Sequence, residues 1–334
     1  ELDVAGLSDV VVVGYGTQKR GEVTGAIGSL KINEEISSRP IENVGQTLYG
    51  KISGVQVLQG SGKPGSSASI QIRGINSISA GTQPLIVING IQMPNFDLNS
   101  LNVSDIESIQ VLKDAASAAI YGSRGSNGVI LITTRSGKSG DEPKVEVNYA
   151  HSFQKIVRKV DVMNAAEYAQ AAIDAAQNGW TDIGGDPDAP NTIQARGSYM
   201  YMWPEVFETP DKLPFNTDWQ DVVYRTAPMD NVNIALSGGG KSSNYRLSAG
   251  YLNQEGIMIL TDYKKYTLNF NIDAKVGDRI DIGAFTNVLY DYGHNPPAYM
   301  SQSAIQYPSI YPVWGDDGNI GGPLNTPGFP DWAH

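Results

Sequence analysis

The sequence predicts an α+β domain followed by antiparallel strands of the transmembrane β-barrel kind. Three observations lead there. Short helix and strand patterns alternate from about Ile36 to Arg135. Two-residue alternation then runs in stretches of about ten residues, the length of a tilted membrane strand. No apolar run approaches the ~20 residues of a membrane helix; Val10–Val13 and Leu85–Ile88 are typical of the longest.

Composition narrows the function classes. Hydrophobic residues at 40% and charged residues at 18% fit neither a disordered chain nor a helical membrane protein. The absence of cysteine removes disulfide frameworks, thiol catalysis and cysteine-based metal sites. A net charge of −11 argues against a nucleic-acid partner. The 37 glycines and 17 tyrosines suit many strands and turns with aromatics at interfaces. No charged segment followed by an apolar run opens the chain at Glu1, so a signal peptide is expected to have been removed or to lie upstream.

Asp9–Tyr15 reads DVVVVGY, and four consecutive β-branched residues favour an extended strand. The nearby glycines leave it little to pack against, so a mobile tail is expected, with an ordinary buried strand as the alternative. Ile41, Val44, Leu48 and Ile52 stand at helical spacing. Val55–Leu58 and Ser69–Arg73 read as strands around the loop Gly60–Ser67, and Leu85–Asn89 as a strand closed by Gly90. Ser104 is expected to cap a helical turn with Glu107 completing the box. Ile109–Leu112 follows as a strand, Ala115–Ile120 as a helical turn and Gly128–Thr134 as a strand.

Beyond the linker Gly137–Pro143 the period changes to two. Lys144–Gln154 sets Val145, Val147, Tyr149 and Phe153 against Glu146, Asn148, Ser152 and Gln154. Asn231–Ser237, Asn244–Tyr251, Lys265–Val276 and Arg279–Tyr292 repeat the pattern. Gly238–Ser243 and Gly277-Asp278 are short connections, whereas Lys155–Pro228 and Glu255–Lys264 are longer. Long and short alternate, as in a membrane barrel and for no reason in a soluble sandwich. Within the first long connection, Asn164 caps a helix to about Gln177, with Glu167 completing a capping box and Gly179 as the stop. Trp180, Tyr199, Tyr201, Trp203, Phe207, Phe215 and Trp219 then form either a stacking surface or a loop packed on itself.

Catalytic patterns are lacking. Gly62-Lys63 sits in a glycine-rich loop, but Pro64 stands where a phosphate loop needs a hydroxyl. No G-x-S-x-G elbow occurs. His151, His294 and His334 are scattered, and the acidic stretches Asp182–Asp188 and Asp316-Asp317 lack calcium-loop spacing. No enzyme, metal site or cofactor is expected, and no ligand-binding residue is assigned.

Several stretches carry a resemblance. DVVVVGYGTQKRGEVTGAI (Asp9–Ile27), LYGKISGVQV (Leu48–Val57), SIQIRGINSIS (Ser69–Ser79), PLIVINGI (Pro84–Ile91) and IESIQVLKDAASAAIYGSRGSNGVILITT (Ile106–Thr134) resemble the SusC/RagA family of TonB-linked outer-membrane transporters. NTDWQDVVYRTAP (Asn216–Pro228) and YLNQEGIM (Tyr251–Met258) resemble its early barrel. Asn89 departs from the family, which typically has Asp there.

The resemblance implies a TonB box with lead-in over 1–30, a plug domain over 31–140, and the first strands of a 22-stranded barrel over 141–334. Five to seven strands cannot close such a barrel, so the natural protein is expected to continue. Asp9, Val10, Val11, Val12, Val13, Gly14 and Tyr15 would bind TonB by strand addition. Arg73 and Arg124, each before a glycine in a plug motif, are expected to pair with acids of the barrel wall; solvated arginines are the alternative. Implied too are import of an oligosaccharide or peptide, a SusD-like surface lipoprotein, outer-membrane lipid around the wall, and a plug facing the periplasm. A ligand-binding signalling receptor and a soluble β-rich adhesin are the competing readings.

Overall fold

The computed structural model describes residues 10–13, 16–19, 27–32, 43–74, 82–138, 140–277, 279–296 and 299–314. Two compact units emerge. One joins Glu1–Gln154 to Ala227–Gly256 and Leu260–Asn295, and the other joins Lys155–Thr226 to Ile257–Ile259 and Pro296–His334.

In the first unit, β1 (Val10–Val13) pairs antiparallel with β2 (Gly16–Lys19). The expected strand is therefore present, already laddered to its neighbour rather than alone. A five-stranded mixed sheet forms the α+β domain, in the order β3 (Ile27–Lys31), β8 (Ile106–Leu112), β9 (Val129–Thr134), β6 (Leu85–Ile88) and β7 (Ile91–Met93). Only β6 and β9 run parallel. All four residues of β6 are buried, which is why its sequence is an unbroken apolar run and not an alternation. Ile86, Ile88, Ile109, Val111, Ile130 and Ile132 meet Val44, Leu48 and Ile52 on one face, together with Ile70 and Ile72 of the hairpin β4 (Val55–Gln59) and β5 (Ala68–Ile72). Leu85, Val87, Leu112, Val129 and Leu131 meet Ala118 and Tyr121 on the other.

Two local expectations change. The helix spans Val44–Leu48, where the Asn43 side chain accepts from the Gln46 amide at 3.0 Å. Asn102, not Ser104, caps the turn Val103–Asp105, accepting from the Ser104 amide at 3.0 Å. An Asx side chain two residues back wins that amide, and Glu107 already lies in β8, so no capping box forms.

The second sheet is a plain meander of β10 (Lys144–Gln154), β11 (Ala227–Gly239), β12 (Ser243–Glu255), β13 (Asp262–Val276) and β14 (Ile280–His294). Every neighbouring pair is antiparallel. The intervening connections cover 155–226, 240–242, 256–261 and 277–279, preserving the long–short alternation.

The second unit is built on the helix Ala165–Asp182. Its capping box is complete: Asn164 Oδ1 accepts from the Glu167 amide at 3.0 Å, and Glu167 Oε2 from the Asn164 amide at 2.9 Å. Gly179 does not stop it. The helix continues to Asp182 and ends before Gly184, whose φ of 86° reverses the chain. Ala165, Ala169, Phe207, Ile310 and Tyr311 form the core, with Trp203 and Trp219 packed against it. Arg196 is buried at 3% exposure, stacks 4.5 Å from the Trp203 ring, and donates to the carbonyls of Ala189, Pro190 and Tyr201. The aromatic stretch is thus a loop packed on itself, with Tyr199 and Met200 left exposed.

Candidate functional site

Alternation sorts the side chains of β10–β14 onto two faces, and their exposures reverse those of a water-soluble protein. Val147 is 64% exposed, Ile234 48%, Leu268 47% and Val288 51%. On the opposite face Asn233, Arg246, Ser248, Gln254, Lys265, Thr267 and Asn269 are buried. Water as the only solvent would not select a sheet that covers arginine and lysine while displaying valine and leucine.

The apolar face has ordered margins. Tyr149, Val232, Tyr251, Tyr266 and Tyr290 stand side by side across the five strands. The Tyr251 and Tyr266 ring centroids are 5.0 Å apart, those of Tyr266 and Tyr290 6.1 Å. One pleat further lies the row His151, Asp230, Asn253, Lys264 and Tyr292, where His151 Nδ1 sits 2.7 Å from Asp230 Oδ1. From Tyr266 to Val276 every outward residue of β13 is apolar. That span rises about 33 Å along the strand, or about 25 Å along the barrel axis at a tilt near 40°, matching the apolar band of a membrane barrel.

The polar face holds the α+β domain. Asp105 Oδ2 accepts from Ser248 Oγ at 2.6 Å and Asn269 Nδ2 at 2.8 Å. Arg246 Nε lies 3.5 Å from Asp105 Oδ1, and Arg246 Nη1 is 3.3 Å from Glu146 Oε2. Burial raises the Asp105 carboxyl above its ordinary value, outweighing the lowering pulls of Ser248, Arg246 and Asn269. Lys265 Nζ donates to the Asn99 carbonyl at 3.1 Å and Asn287 Nδ2 to that of Ser100 at 3.2 Å. The Tyr263 ring packs on Gly65, where a Cβ would come within 2.4 Å of it.

At the other end the linker to β10 is bolted to the β11–β12 turn. Gly140 donates to the Gly240 carbonyl at 2.9 Å, and Gly239 to that of Asp141 at 3.0 Å. A Cβ on Gly137 would sit 2.2 Å from the Gly238 carbonyl oxygen.

Comparison with known proteins decides the family. The TonB-dependent Receptor Plug Domain model matches residues 22–129. TonB-dependent receptor P26 of Formosa agariphila is 34% identical over 98% of this chain, as is TonB-dependent receptor SusC of Bacteroides thetaiotaomicron. The solved RagAB peptide importer in its open-open state superposes with a TM-score of 0.74 at 26% identity, covering 93% of this chain and 36% of that one. The chain belongs to the SusC/RagA family of TonB-dependent receptors. It spans about a third of the length of these relatives, 31% of P26 and 32% of SusC. The first two are TonB-dependent receptors by name, and the third is a peptide importer.

In this receptor the α+β domain is the plug, and β10–β14 are antiparallel strands of the barrel wall. Of the residues expected to bind TonB, Val10, Val11, Val12 and Val13 form β1, whereas Asp9, Gly14 and Tyr15 lie outside the described residues. Arg73, with φ at 57°, and Arg124 are both exposed on the plug. Among the described residues neither meets a carboxylate within ion-pair distance; the plug–wall charge pair present is Asp105 with Arg246. The alternation placed Arg246, Ser248 and Asn269 on a polar face, but nothing local marked Asp105 as their partner. Among the described residues no three histidines or acids are grouped to hold a metal.

Proposed function

We propose that this receptor imports a nutrient, an oligosaccharide or a peptide, across the outer membrane under TonB control. The inverted polarity of the wall carries the reading. An outward apolar band with a tyrosine margin suits acyl chains, and an inward polar face hydrogen-bonded to a separate domain suits a filled lumen. An unplugged barrel of the family's size would leak, so transport needs the plug to rearrange. TonB would join β1 by strand addition over Asp9–Tyr15, where backbone hydrogen bonds supply the grip. A SusD-like lipoprotein would meet the outer loops, and Arg73 and Arg124 would pair with acids on wall strands other than β10–β14.

The test uses the full-length receptor in cells. It should partition with the outer membrane and require detergent for extraction, and labelled oligosaccharides or peptides should accumulate only when TonB is present. Release into buffer without detergent would favour the adhesin. Binding without accumulation would favour a signalling receptor.

A further inference from the structure

The plug–wall contact contains one arrangement that hydrogen bonding alone does not explain. Asp105 and Arg246 are both about 5% exposed and 3.5 Å apart, yet Asp105 Oδ1 and Arg246 Nε each lack a hydrogen-bond partner. A cavity of about 10 Å³, the size of one water molecule, adjoins them and is lined also by Arg135 and Thr134. The pair is therefore close enough to attract and too poorly aligned to bond fully. Separating such a pair inside the contact leaves a desolvated charge behind, so each partner holds the other in the seated register.

Arg135 ties that pair to the pulled end of the plug. Its amide donates to the Asp105 carbonyl at 2.7 Å, its Nε to the Ile106 carbonyl and its Nη2 to the Ile32 carbonyl, both at 3.3 Å. Ile32 directly follows β3, which is the edge strand of the plug sheet and leads back to β1. The Gly137 clamp, by contrast, holds the other end of the plug to the wall through backbone contacts.

We propose that Asp105 is a latch that keeps the plug seated on β12 and β13, and that drawing out β3 opens it through Arg135. The inference rests on the import reading above. Withdrawal of β3 breaks the Ile32–Arg135 bond, loosens Arg135, whose amide holds the Asp105 carbonyl, and lets Asp105 leave Ser248, Asn269 and Arg246. Because the carboxylate is desolvated in the seated state, its release to water favours opening.

Four variants of the full-length receptor test this. Asp105→Asn and Arg246→Gln should each raise entry of a hydrophilic antibiotic too large for porins several-fold, with surface binding of a labelled oligosaccharide or peptide retained. Arg135→Gln should lower TonB-dependent uptake several-fold without that leak, because the pull no longer reaches the latch. Unchanged leak in both Asp105→Asn and Arg246→Gln, with wild-type amide exchange across β8, overturns the latch; normal uptake by Arg135→Gln overturns the release route. A disulfide between Asp105→Cys and Ser248→Cys should block uptake until reduced, and uptake by the oxidised, demonstrably bridged protein also overturns the proposal. Failure of the import reading shows separately, as absence of uptake by the unmodified receptor, and leaves the leak comparison intact.

Discussion

The side chain of Asn89 grips Thr134 from both of its ends: Oδ1 accepts from the Thr134 amide at 2.9 Å, and Nδ2 donates to Thr134 Oγ1 at 2.7 Å. Asn89 does so with φ at 48°, a left-handed conformation that asparagine tolerates better than most residues. Asn89→Ala should therefore cost about 1–3 kcal/mol from the two lost bonds, visible as faster amide exchange at the ends of β6 and β9. Asn89→Asp keeps the acceptor, and the Thr134 hydroxyl can turn to donate to it. That variant should stay within about 1 kcal/mol of wild type, consistent with the aspartate typical of the family.

Gly137 and Gly60 make a paired test of crowding. A Cβ on Gly137 would meet the carbonyl oxygens of Gly238 and Tyr245 at 2.2 and 2.6 Å, both backbone atoms that cannot swing away. Gly60 has open space around it. Gly137→Ala should lower the detergent-solubilised receptor's Tm by several degrees or prevent assembly, whereas Gly60→Ala should leave Tm within about a degree. Equal melting temperatures would show that the linker is not clamped as described.

Much of the wall was legible because a period of two persisted over ten or so residues. The predicted ends fell short where the outward face turned polar. Asn231, Tyr251, Lys265 and Tyr292 bounded the apolar pattern, yet β11, β12, β13 and β14 continue to Ala227, Glu255, Asp262 and His294. Past the tyrosine row, outward positions carry Asp230, Asn253 and Lys264, so the ladder persists after the hydrophobic signal has stopped. Asn102 takes the cap expected of Ser104, and Gly179 stays inside the helix beside the Tyr201 ring, the helix ending before Gly184 instead. The Asp105 cluster joins residues more than 140 positions apart, and no local pattern encodes such a meeting.

For the coupling strand, Val11→Pro or Val12→Pro removes a backbone donor and fixes φ. Both should abolish nutrient accumulation while ligand still binds at the cell surface. A proline variant that accumulates nutrient normally removes β1 from the coupling step.

The pH response of the connection 155–226 follows from Lys159 and Asp218, whose Nζ and Oδ2 are 2.9 Å apart. Desolvation pushes the Asp218 carboxyl up, but the Lys159 contact and the amides of Asp221 and Gln220 together hold it below its ordinary value. Contacts with Asp221 and Asp218 raise Lys159. A depressed carboxylate contributes above its unfolded pKa and loses that contribution as pH falls through the folded one. A raised lysine contributes below its unfolded pKa and loses it as pH rises through the folded one. Proteolytic protection of 155–163 should therefore be flat near neutrality and decline in strong acid and strong alkali. Lys159→Met should lower protection near neutrality, remove the alkaline decline and shrink the acid one, because the amides of Asp221 and Gln220 still hold Asp218 down.

Strand parity, counted from a periplasmic plug, predicts an outer 155–226 connection and an inner one at 277–279. Residues 1–334 contain no cysteine, so single cysteines at Ser198 and Asp278 of the full-length receptor can be probed in intact cells. A membrane-impermeant thiol reagent should modify the Ser198 position and spare the Asp278 position. The opposite pattern would invert every strand assignment.

The two-faced wall also bears on how such a chain reaches its membrane. In Tyr266–Val276 the apolar residues alternate with Thr267, Asn269, Asn271, Asp273 and Lys275. As an unfolded segment it therefore has no continuous greasy stretch for machinery that captures membrane helices. Its affinity for lipid exists only once pleating has sorted the two sets of side chains. Such a chain can stay in water as an alternating, half-polar segment, and gains a face suited to lipid only when neighbouring strands have paired.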